Sequence, residues 1–339
     1  MSPSFFIISS GRSGSTLLAS MLNMHPSLHV PVELFGLYSA LPWRLRFYGD
    51  LEDPFNRLLL ARDLGGIGQL KEFEVALDSQ SLADRIGQGR KDLPGVLQAF
   101  YDELLKGSGK YRIGDKTPNN GPYLDRIART FPQAKILHLV RDGRDVALSS
   151  MGSRGGINFR NTFELGVGWG NGNLRRAEFG DRQPGRYLRL YYEDLVRDPE
   201  GQLQMVCEFL GEPYDSRMLE HAGGEFARRN AGRLEHHANL ARPVMTHNVA
   251  KWRQDMSPRH RRLYEALSGK ALRAFGYAVE SRPSAPGWWV LGLGQALGTA
   301  WRLVRRGARA TVVHARWLIL TLVKRRLRRL RLRTVLERN

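Results

Sequence analysis

The stretch Phe5-Phe6-Ile7-Ile8-Ser9-Ser10-Gly11-Arg12-Ser13-Gly14-Ser15-Thr16-Leu17-Leu18 decides how this chain folds. A short unbroken apolar run suits a strand buried on both faces, as in a parallel sheet. Small residues follow it, and an apolar pattern of helical period then restarts over residues 15–24. Strand, Gly/Ser loop and helix together make an anion cradle. Gly11 and Gly14 permit tight turns and a close approach of a phosphate to the backbone. The helix start supplies free N–H groups and the positive end of its dipole. Ser13, Ser15 and Thr16 add hydroxyl donors, and Arg12 adds a fixed charge with a forked donor set. The loop is not that of a nucleoside triphosphatase, which needs G-x-x-x-x-G-K-[ST]. Here two residues separate the glycines, no lysine follows Gly14, and no acidic strand end stands out for magnesium. Taken alone, the stretch leaves a Gly/Ser turn without function open.

A second cluster narrows the choice. Lys135-Ile136-Leu137-His138-Leu139-Val140 reads as a strand, followed by Arg141-Asp142-Gly143-Arg144-Asp145-Val146-Ala147-Leu148-Ser149-Ser150-Met151 as a helix. Arg141 would leave the strand at its carboxyl end, where open α/β sheets bind ligands. Ser149 lies about two helical turns further on. An arginine and a serine so placed suit a second, separate phosphate.

With both clusters in view the chain resembles the sulfotransferases that use 3′-phosphoadenosine-5′-phosphosulfate (PAPS). GRSGSTLL at 11–18 resembles their 5′-phosphosulfate loop, in the arginine-containing form of the carbohydrate and protein-tyrosine enzymes. VRDGRDVALSSM at 140–151 resembles their 3′-phosphate motif. The resemblance implies a P-loop-like, three-layer α/β fold with a central parallel sheet flanked by helices. It implies PAPS as co-substrate, its desulfated form PAP as product, and a hydroxyl-bearing acceptor: small molecule, glycan, lipid or peptide. It assigns Gly11, Arg12, Ser13, Gly14, Ser15 and Thr16 to the 5′ end of the nucleotide, and Arg141 and Ser149 to its 3′ phosphate. Residues 12–33, RSGSTLLASMLNMHPSLHVPVE, are similar in spacing to the tyrosylprotein branch, which makes Glu33 the general base. GDKTP at 114–118 resembles the segment carrying the catalytic lysine, here Lys116; Arg12 and Lys116 then stabilise the leaving group. YYEDL at 191–195 places Tyr192 on the nucleotide, and Ala250-Lys251-Trp252 resembles a Ser-Lys-Trp motif with Lys251 near the 5′ phosphate. Arg154 matches a further 3′-phosphate arginine with a one-residue shift. The tyrosylprotein pattern has two acids before a Thr-Arg where this chain has Val32-Glu33-Leu34-Phe35, so the acceptor stays open.

Several of these residues carry plainer readings beside the functional one. Glu33 could be a surface carboxylate or a partner of Arg44, and Lys116 a solvated lysine. His25 suits a helix C-cap or core filling more than catalysis. Asp142 suits a helix cap holding Arg144, Trp252 suits packing, and Cys207 a core position. Without the Walker lysine a kinase-like nucleotide protein is disfavoured, and a non-catalytic membrane-binding protein led by its basic tail is the other alternative. No His/Cys cluster calls for a metal, so none is expected.

The rest of the chain organises around these motifs. Strands are expected at 111–114 and 187–192, and helices at 123–131, at 194–210 with a weak start near Pro199, and at 259–275. Residues 34–110 read as mostly helical, with turn signals at Pro42, Pro54, Gly65-Gly66 and Pro94-Gly95, and are expected to build an acceptor-side insertion in a domain spanning 1–282. The composition is globular, with 42% hydrophobic and 25% charged residues. The formal charge of +19 is uneven: residues 283–339 hold thirteen Arg or Lys against one acid, Glu337. Over that tail apolar residues recur at 297, 301, 304, 308, 312, 315, 319 and 322, a helical stripe that the arginines avoid. The segment 288–333 therefore suits an anionic membrane surface; a helix packed on the body is the alternative, and nucleic acid is not the expected partner. One cysteine and no recognisable leader point to a cytoplasmic location, peripheral to the membrane through the tail.

Overall fold

The computed structural model describes residues 3–73, 75–152, 159–233 and 240–281. Their order is β1 (Phe5–Ser9), α1 (Ser15–Met24), β2 (Leu28–His29), α2 (Leu41–Arg44), α3 (Pro54–Leu64), α4 (Ser79–Gln88), α5 (Leu93–Lys106), β3 (Arg112–Lys116), α6 (Leu124–Thr130), β4 (Lys135–Val140), α7 (Gly143–Gly152), α8 (Phe159–Asp181), β5 (Tyr187–Tyr191), α9 (Tyr192–Arg197), α10 (Pro199–Leu210), α11 (Glu225–Arg233), α12 (Trp252–Asp255) and α13 (Pro258–Ala274). The strands form one sheet in the order β2-β3-β1-β4-β5. Every neighbouring pair is parallel. β1 lies at the centre, with Ile7 opposite both Lys116 of β3 and Leu137 of β4. The chain fills the sheet on the β3 side of β1 and then crosses to β4, so the carboxyl ends of β1, β3 and β4 open into one crevice.

Alternation along β1 explains the layers. Phe6 and Ile8 enter one core, with Leu59, Leu60, Leu82, Phe100 and Tyr101 from the α3–α5 helices. Phe5 and Ile7 enter the opposite core, with Leu18 and Leu22 of α1 and Leu203, Val206 and Cys207 of α10. A strand buried on both faces must be apolar throughout, which is why β1 shows no alternating pattern. A third cluster joins Val146 of α7, Trp169 of α8 and Leu272 of α13 behind the end of β4.

The expected elements at 34–110 are helical, but their prolines begin helices instead of marking loops. Pro54 and Pro94 sit in first turns, behind Asp53 and Asp92, whose carboxylates accept from Phe55 N at 2.9 Å and Gly95 N at 3.0 Å. The helix expected at 194–210 is two helices, divided at Asp198 by Pro199. Sequence reading passed over β2 and α8. The run Gly166-Val167-Gly168-Trp169-Gly170-Asn171-Gly172 has poor intrinsic helicity. Packing overrides it: a Cβ at Gly166 would lie 3.3 Å from Leu267 Cβ of α13, so the two helices lie in direct contact. The basic tail 283–339 and Arg154 lie outside the described residues. Among the described residues no helix is long and apolar enough to cross a membrane.

Candidate active site

The loop after β1 takes its shape from two left-handed residues, Arg12 (φ 68°) and Gly14 (φ 89°). Gly14 caps α1, and a Cβ there would come within 2.4 Å of the Tyr192 ring, so only glycine fits both the turn and the packing. The turn directs the Arg12 guanidinium across to α7, where its Nε donates to Ser149 Oγ at 2.9 Å. The two motifs thus meet, although 137 positions separate these residues. Arg141 closes the same junction. Its Nη1 donates to the Arg12 carbonyl at 3.1 Å and its Nη2 to the Asn248 carbonyl at 2.7 Å. Its guanidinium stacks 4.4 Å over the Tyr192 ring. Ser13 is buried, and among the described residues its hydroxyl has no hydrogen-bond partner.

The electrostatics of this junction call for an anion. Burial first, and then the neighbouring Arg141, lower the pKa of the Arg12 guanidinium. Two adjacent guanidinium groups in a half-buried site repel each other until a negative group enters. The carboxyl of Asp145, which lines the same cleft, accepts from Ala250 N at 2.8 Å and Trp252 N at 2.9 Å. Those bonds hold Ala250 at φ 58° and bring Lys251 to the cleft. Burial pushes the Asp145 carboxyl up in spite of those two hydrogen bonds.

At the other end of the loop, β3 delivers Lys116 and the segment after β2 delivers Glu33. Lys116 Nζ lies 2.8 Å from Glu33 Oε1 and 3.4 Å from Thr16 Oγ1. Its side chain is 2% exposed and that of Glu33 15%. Glu33 is therefore not the partner of Arg44, which lies beside Tyr48 and Asp63. Backbone contacts fix the Glu33 turn: Gln69 Oε1 accepts from Glu33 N at 3.3 Å, Gln69 N donates to Glu33 O at 3.0 Å, and Leu34 N donates to Thr117 Oγ1 at 2.9 Å.

These groups line one cleft of about 560 Å³, whose wall includes Gly11, Arg12, Gly14, Ser15, Thr16, Glu33, Arg141, Ser149, Tyr192 and Lys251. Ser13 and Lys116 are buried and do not line it. Of the described residues in 34–110, only Phe35 reaches it. Pro118 and Asn119 and the strap Leu240, Arg242, Pro243, Val244 and Met245 also line it. Helices of the 34–110 stretch spend their apolar faces on the sheet, which leaves little of them for the cleft. The strap carried no sequence signal. Asp145 belongs to the 140–151 motif, yet its partners lie more than a hundred positions away.

The plainer readings settle case by case. His25 caps α1; its Nε2 pairs with the Pro213 carbonyl at 2.8 Å, and its Nδ1 accepts from Ser27 N at 3.1 Å. Asp142 holds Arg144 by paired bonds at 2.8 and 3.0 Å. Trp252 is buried, with the Arg144 guanidinium 3.5 Å over its ring, and Cys207 is buried beside Met218. Among the described residues no group of three or more His, Cys, Asp or Glu is arranged to hold a metal ion.

Comparison with known proteins meets this geometry from outside. A family model described as the sulfotransferase family matches residues 3–216. Protein-tyrosine sulfotransferase A of Caenorhabditis elegans is 26% identical over 262 residues, 74% of this chain and 61% of that protein. Protein-tyrosine sulfotransferase 1 of Danio rerio is 24% identical over 259 residues, 74% of this chain and 65% of that protein. This chain thus spans less than two thirds of the length of either relative. Among solved structures, the sulfotransferase domain of the olefin synthase of Synechococcus PCC 7002 superposes with a TM-score of 0.59 at 27% identity, covering 81% of this chain and 95% of that one.

Proposed function

Because this chain belongs to the sulfotransferase family, we propose that it transfers the sulfuryl group of PAPS to an acceptor hydroxyl. The observation that carries this reading is the junction of the two anion cradles, with Arg12 Nε 2.9 Å from Ser149 Oγ and Arg141 Nη1 3.1 Å from the Arg12 carbonyl. Phosphates at both ends of one adenosine satisfy two cradles that share an arginine. The buried Ser13 hydroxyl and the glycine-only turn at Gly14 fit such a ligand.

The chemistry follows from which groups surround the reacting atoms. Sulfuryl transfer resembles phosphoryl transfer, in which positioning and charge stabilisation do most of the catalysis. Glu33 takes the proton of the acceptor hydroxyl as its oxygen bonds to sulfur. The bond from sulfur to the bridging oxygen breaks, and its electron pair stays on the 5′ phosphate, leaving PAP and a sulfate ester. Arg12, the α1 N-terminus and Lys116 meet the charge that builds there. Lys116 stands between the base and the loop, so it exchanges its Glu33 contact for the leaving oxygen as the carboxylate turns to the acceptor. Arg141 and Ser149 hold the 3′ phosphate, which separates PAPS from ATP. Tyr192 orients Arg141, and Lys251 adds charge at the cleft wall.

For the acceptor we favour a hydroxyl on an apolar body. Phe35, Leu240, Val244 and Met245 in the cleft lining suit an aromatic ring, and the relatives named above are protein-tyrosine sulfotransferases. A cytoplasmic location, with the basic tail on an anionic membrane face, belongs to the same proposal.

Calorimetry with PAP and with ATP tests the cofactor, and transfer of ³⁵S from labelled PAPS into tyrosyl peptide, glycan and lipid fractions tests the acceptor. PAP should bind and ATP should not compete. Arg141→Ala should lose affinity for PAP. Glu33→Gln should keep it and lose turnover by about 10²–10⁴-fold, the usual worth of a general base. No heat with PAP, or equal affinity for ATP, would sink the proposal.

A further inference from the structure

Arg176 of α8 is a buried cation that the cleft does not use. It is 9% exposed, and burial pulls its guanidinium pKa down to about 10, so it still carries its charge at neutral pH. Among the described residues no carboxylate pairs with it. Its Nη1 donates to Asn173 Oδ1 at 3.1 Å, and its buried Nε has no hydrogen-bond partner among the described residues. His138 adds no second positive charge: burial, and then Arg176 itself, hold its imidazole well below its usual range. A charge taken out of water with no opposite charge is costly, and folded proteins seldom leave one so.

The guanidinium borders a second cleft of about 460 Å³. The 3₁₀ turn Pro118–Tyr123 separates it from the nucleotide site: Pro118 and Asn119 face the first cleft, Gly121 and Pro122 the second. A Cβ at Gly121 would sit 2.5 Å from Arg176 Nε, so the backbone there closes directly on the guanidinium plane. Arg175 and Arg182 also line this space, against Asp125 and Glu178. Arg182 lies 3.5 Å from Asp125, so the balance left in the cleft is positive. We propose that this second cleft is an oxyanion site, in which Arg176 receives the carboxylate, sulfate or phosphate group of a small ligand. Asn173 lies between this site and the loop before Gly11: its Nδ2 donates to Ser10 Oγ at 3.2 Å.

Two measurements test this. Crystals of the full chain soaked in selenate should show an anomalous peak within hydrogen-bond distance of Arg176; peaks confined to Arg12 and Arg141 would overturn the proposal. In solution, titrations with phosphate and with acetate should each show whether a tetrahedral or a planar anion is preferred. Arg176→Met should lose that binding component by about tenfold or more, the worth of one charge-assisted hydrogen bond. Arg176→Lys should retain part of it, and Arg141→Ala should leave it unchanged. Thermal unfolding separates a site from a structural strut. In anion-free buffer Arg176→Met should melt no lower than the wild type, because it removes an uncompensated charge. A lower melting temperature that added phosphate does not alter in either protein would assign Arg176 a structural role and refute the site.

Discussion

Asp115 shows how much one buried carboxyl can be asked to bear. It sits one residue before Lys116 and accepts from Tyr101 Oη at 2.5 Å and Asn120 Nδ2 at 3.1 Å. Burial raises its pKa from 3.8 to about 6, against the hydrogen bonds of Tyr101 and Thr117; Glu33 raises it further and Lys116 opposes. A carboxyl whose folded pKa exceeds its unfolded one binds its proton more tightly in the folded state. The protein should therefore lose stability as pH rises from about 4 to about 6, with no further loss from this group above that. Asp115→Asn should remove this component. Urea unfolding from pH 4 to pH 8 should show the variant gaining on the wild type by up to about 3 kcal/mol across that window, the worth of a carboxyl raised from 3.8 to about 6. A difference that stays flat with pH would show that Asp115 is ionised throughout.

Between elements, a single side chain joins three of them. Arg144 in the first turn of α7 donates from Nη1 to Glu265 of α13 at 2.5 Å and to the Ala278 carbonyl at 2.9 Å, while Asp142 holds its other side. Its guanidinium also covers Trp252 of α12. α7 carries Ser149 and α12 follows Lys251, so this staple fixes two elements that line the cleft. Asp142 and Glu265 are themselves buried. Arg144→Met would strand two carboxylates, and breaking such a buried pair costs roughly 3–5 kcal/mol. Chemical denaturation should record that loss, and Glu265→Gln in the same chain should recover part of it. An additive double variant would mean that the two residues do not interact.

For the molecule as a whole, charge divides between a moderately basic body and a tail of thirteen cations. If the tail holds an anionic membrane surface, removing 283–339 should abolish sedimentation with phosphatidylserine vesicles, and the full chain should lose its binding steeply with added salt. Turnover of a soluble acceptor should survive the deletion; vesicle binding that persists would place the membrane contact on the body. The residues that meet at the cleft are partly readable along the chain. The β1 loop, Arg141 with Ser149, and Lys116 are legible because strand, turn and helix signals are local and each motif sits at a strand end. Parallel layering was legible too, since an apolar run like 5–8 must be covered on both faces. Tertiary structure alone decided the rest. The Arg12–Ser149 bond, the Glu33–Lys116 pair and the Asp145 clamp on Ala250 join residues from 83 to 137 positions apart. The segment 240–245 at the cleft, the glycine-rich α8 and the burial of Arg176 follow from packing between distant elements. No local pattern encodes them, because their free energy comes from contacts formed only once the sheet has brought those elements together.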